Sequence, residues 1–312
     1  MTNIRIASPP PRSISSAPDH ARLLAAFDLA LESEGASEAT RRVYAYAART
    51  LFAGLDHMGL GSLPVSAVTA EHVRHVLAEK RRAGAAPATL STIHRGLRRW
   101  LGWLQEEGER TDNPMQRIAA PPIPDRPIEA PSRDQVAALI AHCRKDRRKV
   151  LGARDAAIIA TLASTGLRAS ELCSLQVEDI DLKARQTLIV GKGGKPRIVP
   201  FEPGVLRALA RYWRLAKVTE GAAFRDRSGK PLSTSGLYLC IRRRGAEIGL
   251  ARLHPHALRH SWAASMLEEQ VPEQAIRVLA GWAPGSRMLH RYSAHQAEAL
   301  AVEARRGIKL LA

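Results

Sequence analysis

Apolar residues recur at three- and four-residue steps through most of the first hundred positions, which is the period of amphipathic helices. Leu23, Leu24, Phe27 and Leu31 form one stripe, ended by Gly35. Ser37 is placed to cap a second helix in which Val43, Ala47 and Leu51 face inward. A third helix starts near Thr69 and carries Val73, Val76 and Leu77. The clearest stripe is the fourth, Leu90, Ile93, Leu97, Trp100 and Leu104, with His94, Arg95, Arg98 and Arg99 on its other face. The pattern predicts a four-helix bundle over residues 19–112, behind a polar, proline-rich tail at residues 1–18.

From Asp112 the pattern breaks. Prolines at 114, 121, 122, 124, 127 and 131 block continuous helix and favour an extended connection over residues 113–131. Such a connection separates two domains and would let them grip a duplex from opposite sides. A second domain is expected over residues 132–312. It opens on a capping-box signature, Ser132 with Gln135, followed by the stripe Val136, Leu139, Ile140 and Cys143. Ile158, Ile159 and Leu162 line the next helix, which Gly166 can end in a left-handed conformation. Gln186–Val190 and Arg197–Phe201 read as strands of a hairpin, joined through the glycine-rich turn at residues 191–195. Helices follow over Leu206–Leu215 and from about Ser233 to Gly249. The fold class is therefore mainly α with a small β-sheet.

Charge narrows the function. Lys and Arg total 47 against 30 Asp and Glu, a formal net charge of +17, which points to a polyanion, nucleic acid first and anionic membrane second. No apolar run approaches the roughly 20 residues that span a bilayer, and the N-terminus lacks the apolar centre of a secretory signal. Cys143, Cys173 and Cys240 are far apart and set among apolar residues, which reads as buried thiols in a reducing cytoplasm. Arg95, Arg98 and Arg99, and the run Arg242, Arg243 and Arg244, are candidate phosphate contacts. Each is equally readable as a solvated helix face.

The stretch His254–Tyr292 carries the densest chemistry. His256 and Arg259 are one helical step apart and share a face, with His260 beside them. Tyr292 follows the Gly281-Trp282 turn by about ten residues. An imidazole, a permanent cation and a phenol together suit a phosphodiester. Upstream, Arg168 lies just past the Gly166 turn, with Glu171 spaced to orient its guanidinium; the same spacing also describes an ordinary helix corner with a surface ion pair. The three histidines invite a zinc reading, but catalytic zinc wants carboxylate or cysteine ligands nearby, so no metal is expected. The glycine-rich hairpin has no GxxxxGK[ST] match and is not a nucleotide-binding loop.

Four segments in order, TGLRASEL, VGKGGKPRIVPF, HPHALRH and GWAPGSRMLHRYSAH, make the chain resemble the tyrosine recombinases of the phage-integrase family, with an Xer-like layout, over roughly residues 20–300. The resemblance implies a SAM-like core-binding domain followed by an α+β catalytic domain. By matching position it makes Arg168, Lys192, His256, Arg259 and Trp282 catalytic, Tyr292 the nucleophile and Glu171 a supporting acid. Lys195 is a rival for Lys192. Trp282 stands where many relatives have histidine, and the interval from it to Tyr292 is one residue longer than in Xer-like proteins. The implied function is site-specific cutting and rejoining of double-stranded DNA through a 3′-phosphotyrosine, without cofactor, by a homotetramer or paired dimers on DNA in the cytoplasm at the nucleoid. The alternatives are a type IB topoisomerase-like relaxase and a DNA-binding regulator without catalysis.

Overall fold

Helix α1 (His20–Ser33) buries Leu23, Phe27 and Leu31. Helix α2 (Glu38–His57) starts where the Ser37 hydroxyl accepts from the Thr40 amide. Helix α3 (Ala70–Arg82) is capped by Thr69, and α4 (Pro87–Glu106) opens with proline in its first turn. The computed structural model describes residues 20–124, 130–191, 194–283 and 286, and the chain divides into two compact units between Asp125 and Arg126. In the first unit, α4 buries Leu90, Ile93, Leu97, Trp100 and Leu104 against α2. Each large apolar side chain taken fully out of water there contributes about 1.5–3 kcal/mol.

Three expectations for this unit change. Val43 is exposed, because Tyr44, one position on, continues the stripe of Ala47, Ala48, Leu51 and Leu55. His94 is buried instead of lying on the basic face; its Nε2 meets the Ile118 carbonyl at 3.0 Å. That contact exists because the chain after Asp112, expected to open the connection, folds back. Pro114–Arg117 forms a 3₁₀ turn and Met115 is buried in the bundle core. Arg110 is buried too, donating to the Val65 and Val68 carbonyls and to Asp112.

The second unit is built on α6 (Lys149–Thr165), which follows α5 (Arg133–Arg144) and is buried along most of its length. After α7 (Ala169–Ser174) come three antiparallel strands in the order β1 (Ile180–Asp181), β2 (Gln186–Val190) and β3 (Pro196–Pro200). β1 was not foreseen; two residues are too short to show a period. β2 pairs with β3 in a register that sets Leu188 opposite Ile198. Helices α8 (Pro203–Ala216), α9 (Thr234–Ala246), α10 (Pro255–Glu268) and α11 (Glu273–Ala280) complete the described chain. Helices α5, α8, α9 and α10 all pack on α6.

Asp155, on α6 and fully buried, accepts from Arg154, Arg243 and Arg244. Arg244 also reaches Asp146 and Glu247. The expected surface run of three arginines is therefore divided. Arg244 is buried in this ionic cluster, Arg243 is half-buried against Asp155, and Arg242 alone is exposed. Burial pushes the Cys143 and Cys240 thiols up to about 12 and that of Cys173 to about 11, so none is a thiolate at neutral pH. Among the described residues, no helix is long and apolar enough to cross a membrane.

Candidate active site

Helix α6 ends at Gly166 in the left-handed region, with φ 62° and ψ 21°. A side chain there would be strained, and its Cβ would enter the Trp262 ring. The turn delivers Arg168 as the residue that begins α7. Its amide donates to Glu171 Oε2 at 2.8 Å and its Nη1 to Glu171 Oε1 at 2.8 Å. Glu171 thus caps the short helix and orients the guanidinium at once. The half-buried Arg168 also donates from Nη2 to the Gly281 carbonyl at 2.8 Å.

Arg259 projects from α10 and is about as buried as a side chain can be, at 1% exposure. Nη1 donates to the Gly166 carbonyl and Nη2 to the Ala280 carbonyl, so one guanidinium joins the C-terminal ends of α6 and α11. Its carbon lies 5.2 Å from the centre of the Trp282 ring, a cation–π contact. Among the described residues, Arg259 Nε has no hydrogen-bond partner.

A third guanidinium was not anticipated. Arg197, buried on β3, forms a two-pronged pair with Glu171, Nη1 to Oε1 at 2.9 Å and Nη2 to Oε2 at 2.7 Å. Its Nε donates to the Leu279 carbonyl at 2.9 Å. The last carbonyls of α11 and its cap, Leu279, Ala280 and Gly281, are thus taken by Arg197, Arg259 and Arg168 in turn. Carbonyls at a helix C-terminus lack intrahelical partners and carry partial negative charge, so they favour cations.

Electrostatics follow from this crowding. Burial pushes the Glu171 carboxyl up, but hydrogen bonds from Arg197 and Arg168 outweigh it and leave the pKa at about 2. Burial lowers the Arg259 pKa to about 9, with Arg168 and Arg197 adding repulsion and Glu171 partly opposing them. It stays charged at neutral pH. Burial also lowers His256, helped by Arg259, His254 and Arg168, so its imidazole is neutral at pH 7. His256 keeps an exposed edge, and its ring centre lies 4.2 Å from that of His260. His254 starts α10, its Nδ1 accepting from the Ala257 amide at 3.1 Å.

Arg168, Glu171, Arg259 and Trp282 are therefore brought together by α7, α10 and the end of α11, and His256 lies on α10 within electrostatic reach of both arginines. Lys192 and Tyr292 lie outside the described residues. Lys195 is exposed beside the hairpin turn, where its carbonyl accepts from the Gly191 amide at 2.9 Å. In the first unit Arg95 and Arg98 are exposed, while Arg99 is half-buried and paired with Glu34 and Glu106. Arg197 escaped notice in the sequence because an arginine in a strand reads as a solvent-facing position. The signal in the sequence is the two-residue phase that Arg197 shares with Val199 and Phe201, both of which are buried.

A largely helical unit with a three-stranded sheet, presenting clustered guanidiniums at paired helix ends, is that of the tyrosine recombinases. Residues 132–299 match the phage integrase family, and the chain belongs to that family. It is a site-specific recombinase. It is 35% identical to the tyrosine recombinase XerC of Alcanivorax borkumensis over 230 residues, 72% of this chain and 75% of that one. XerC of Actinobacillus pleuropneumoniae is 32% identical over 218 residues, 69% of this chain and 70% of that one. Among solved structures, the Tn1549 transposon integrase in complex with circular intermediate DNA superposes with TM-score 0.66 at 18% identity, covering 91% of this chain and 99% of that one. A lambda integrase dimer bound to a COC' core site superposes with TM-score 0.67 at 17% identity, covering 87% and 76%. These two establish likeness of fold.

Proposed function

We propose that the chain cuts and rejoins double-stranded DNA at specific sites, with Tyr292 forming a 3′-phosphotyrosine link. The observation that carries this reading is the excess of fixed positive charge at one place, where Arg168, Arg197 and Arg259 surround the single carboxylate of Glu171. A phosphodiester carries one negative charge and gains more when attacked, so fixed cations stabilise the attacked state preferentially. Arg168 and Arg259 grip the non-bridging oxygens with their planar guanidinium forks. Trp282 holds Arg259 through its ring face and offers its indole N–H to the phosphate.

The phenol has an ordinary pKa of about 10, and the surrounding cations favour its phenolate. Attack forms the tyrosyl O–P bond and breaks the bond to the 5′ oxygen. Lys192 protonates that oxygen, and the neutral His256 takes the proton from Tyr292. The bond energy is kept in the covalent link, so a 5′-hydroxyl of another strand reverses the step without ATP. No metal or cofactor enters the scheme. Residues 19–118 act as the core-binding domain, 119–131 as the connection and 132–312 as the catalytic domain. Arg95, Arg98 and Arg242 contact phosphates. Strand exchange proceeds in a homotetramer on paired DNA sites in the cytoplasm at the nucleoid, a closed ring of heterologous contacts.

The test is covalent capture on a nicked suicide duplex. The wild-type chain is expected to accumulate a protein–DNA adduct and Tyr292→Phe none. Adduct from Tyr292→Phe, or supercoil relaxation without recombinant products, would contradict the reading.

A further inference from the structure

We infer that Arg197 is a positioning residue for strand cleavage, acting on the phosphate-binding arginines through Glu171 and the end of α11. The inference rests on the reading of Arg168 and Arg259 as the phosphate clamp and adds a residue outside it. Arg197 is buried, with all its observed donors directed into protein: two to Glu171 and one to the Leu279 carbonyl. It is therefore not placed as a phosphate ligand.

Its geometry joins elements that are distant in sequence. From β3 it reaches the carboxylate at the start of α7 and the last turn of α11. Glu171 in turn holds both the amide and the Nη1 of Arg168. Without Arg197 the carboxylate keeps only its two bonds to Arg168, one on each oxygen, and the Leu279 carbonyl loses its donor. Arg168 Nη2 and Arg259 Nη2 both take their bearings from that helix end, at Gly281 and Ala280. A displacement there moves both clamp arginines at once. The packing is tight: a Cβ on Gly281 would approach Arg197 Nη1 at 3.2 Å and Cδ at 3.3 Å.

The fork matters as well as the charge. Two parallel N–H donors to one carboxylate fix its plane, which a lysine ammonium cannot do. Misplacing catalytic groups by about 1 Å costs on the order of a hundredfold in rate. Arg197→Lys and Arg197→Gln are therefore expected to slow single-turnover adduct formation about a hundredfold. The substrate is a suicide duplex carrying the site mapped for the wild-type chain. DNA affinity should stay unchanged, and Glu171→Gln combined with Arg197→Lys should be no slower than the slower single variant.

A role in charge balance alone would leave Arg197→Lys at the wild-type rate and overturn the proposal, as would losses that multiply in the double variant. Should either substitution prevent folding, the wild-type chain supplies the test. With guanidinium nitrogens labelled and inorganic phosphate as probe, the Arg168 and Arg259 signals should move on titration while the Arg197 signal stays. An Arg197 signal that moves with them would make it a ligand and overturn the assignment. Absence of any adduct from the wild-type chain overturns the clamp reading beneath it; adduct from wild type with an unimpaired Arg197→Lys overturns the role of Arg197 alone.

Discussion

Arg168 and Arg259 donate to neighbouring carbonyls of one helix end, Arg168 Nη2 to Gly281 at 2.8 Å and Arg259 Nη2 to Ala280 at 2.6 Å. Two like charges are thereby held side by side by backbone dipoles rather than by a carboxylate each. The site keeps a net positive charge that an anion can meet. Had each guanidinium its own carboxylate, the pairs would be neutral and phosphate would have to compete for them.

Replacing Arg259 by lysine keeps the charge but loses the fork that joins the Gly166 and Ala280 carbonyls. Arg259→Lys is expected to slow strand cleavage about a hundredfold to a thousandfold, the cost of removing one aimed donor from a transition-state site. Single-turnover adduct formation measures it, and an unchanged rate contradicts the assignment.

His256 should respond to anions. Burial, Arg259, His254 and Arg168 hold its pKa below the ordinary 6.5, so the free chain carries it neutral at pH 7. A base lowered in this way contributes stability above its ordinary pKa, and that contribution is lost as pH falls through the folded value. A phosphate in the site offsets the two arginines and moves the pKa upward, so phosphate binding should take up protons below neutrality. Ring-proton NMR across pH, with and without inorganic phosphate, checks this. A downward or absent movement contradicts it.

Glu171 should be a large contributor to stability. Its carboxyl is buried, accepts from two arginines and titrates at about 2 instead of 4.5. Removing it by Glu171→Ala leaves Arg197 buried without its ion partner, an expected cost of about 3–5 kcal/mol at pH 7. Because its pKa is lowered, the stability it brings is full above the ordinary carboxylate range and fades as pH falls toward about 2. Urea unfolding of wild type and Glu171→Ala should therefore differ widely at pH 7 and converge on acidification.

The adjacent arginines of α9 should behave in opposite ways. Arg244→Ala strips the fully buried Asp155 and the half-buried Asp146 of a partner and is expected to destabilise the fold by about 3–5 kcal/mol. Arg242→Ala should change stability by less than about 0.5 kcal/mol. If Arg242 meets a phosphate, that variant lowers the salt-dependence slope of DNA binding by about 1. Denaturant melts and affinities at several salt concentrations separate the two. Equal destabilisation by both substitutions contradicts the division.

The elements with a strong period were legible before folding. The Leu90–Leu104 stripe, the Ser132 and Gln135 capping box and the left-handed Gly166 all depend on neighbours close in sequence, and the structure has them as expected. Arg168 with Glu171 was legible for the same reason. What escaped depends on distant partners. Arg197 becomes a site residue only because β3 carries it to Glu171, and Arg244 leaves the surface only because α9 packs on α6 beside Asp155. His94 is buried by a segment that its own helix gives no hint of. In each case an ordinary basic side chain was read from local pattern, and tertiary packing decided its place.

The central claim is that one phenol oxygen near the carboxyl end of the chain breaks a DNA strand within this cluster of arginines. Mass spectrometry of the nuclease-trimmed adduct tests it most directly. The expected result is a nucleotide joined through its 3′-phosphate to Tyr292, with a free 5′-hydroxyl on the other strand end. A linkage at another residue, or through a 5′-phosphate, would contradict it.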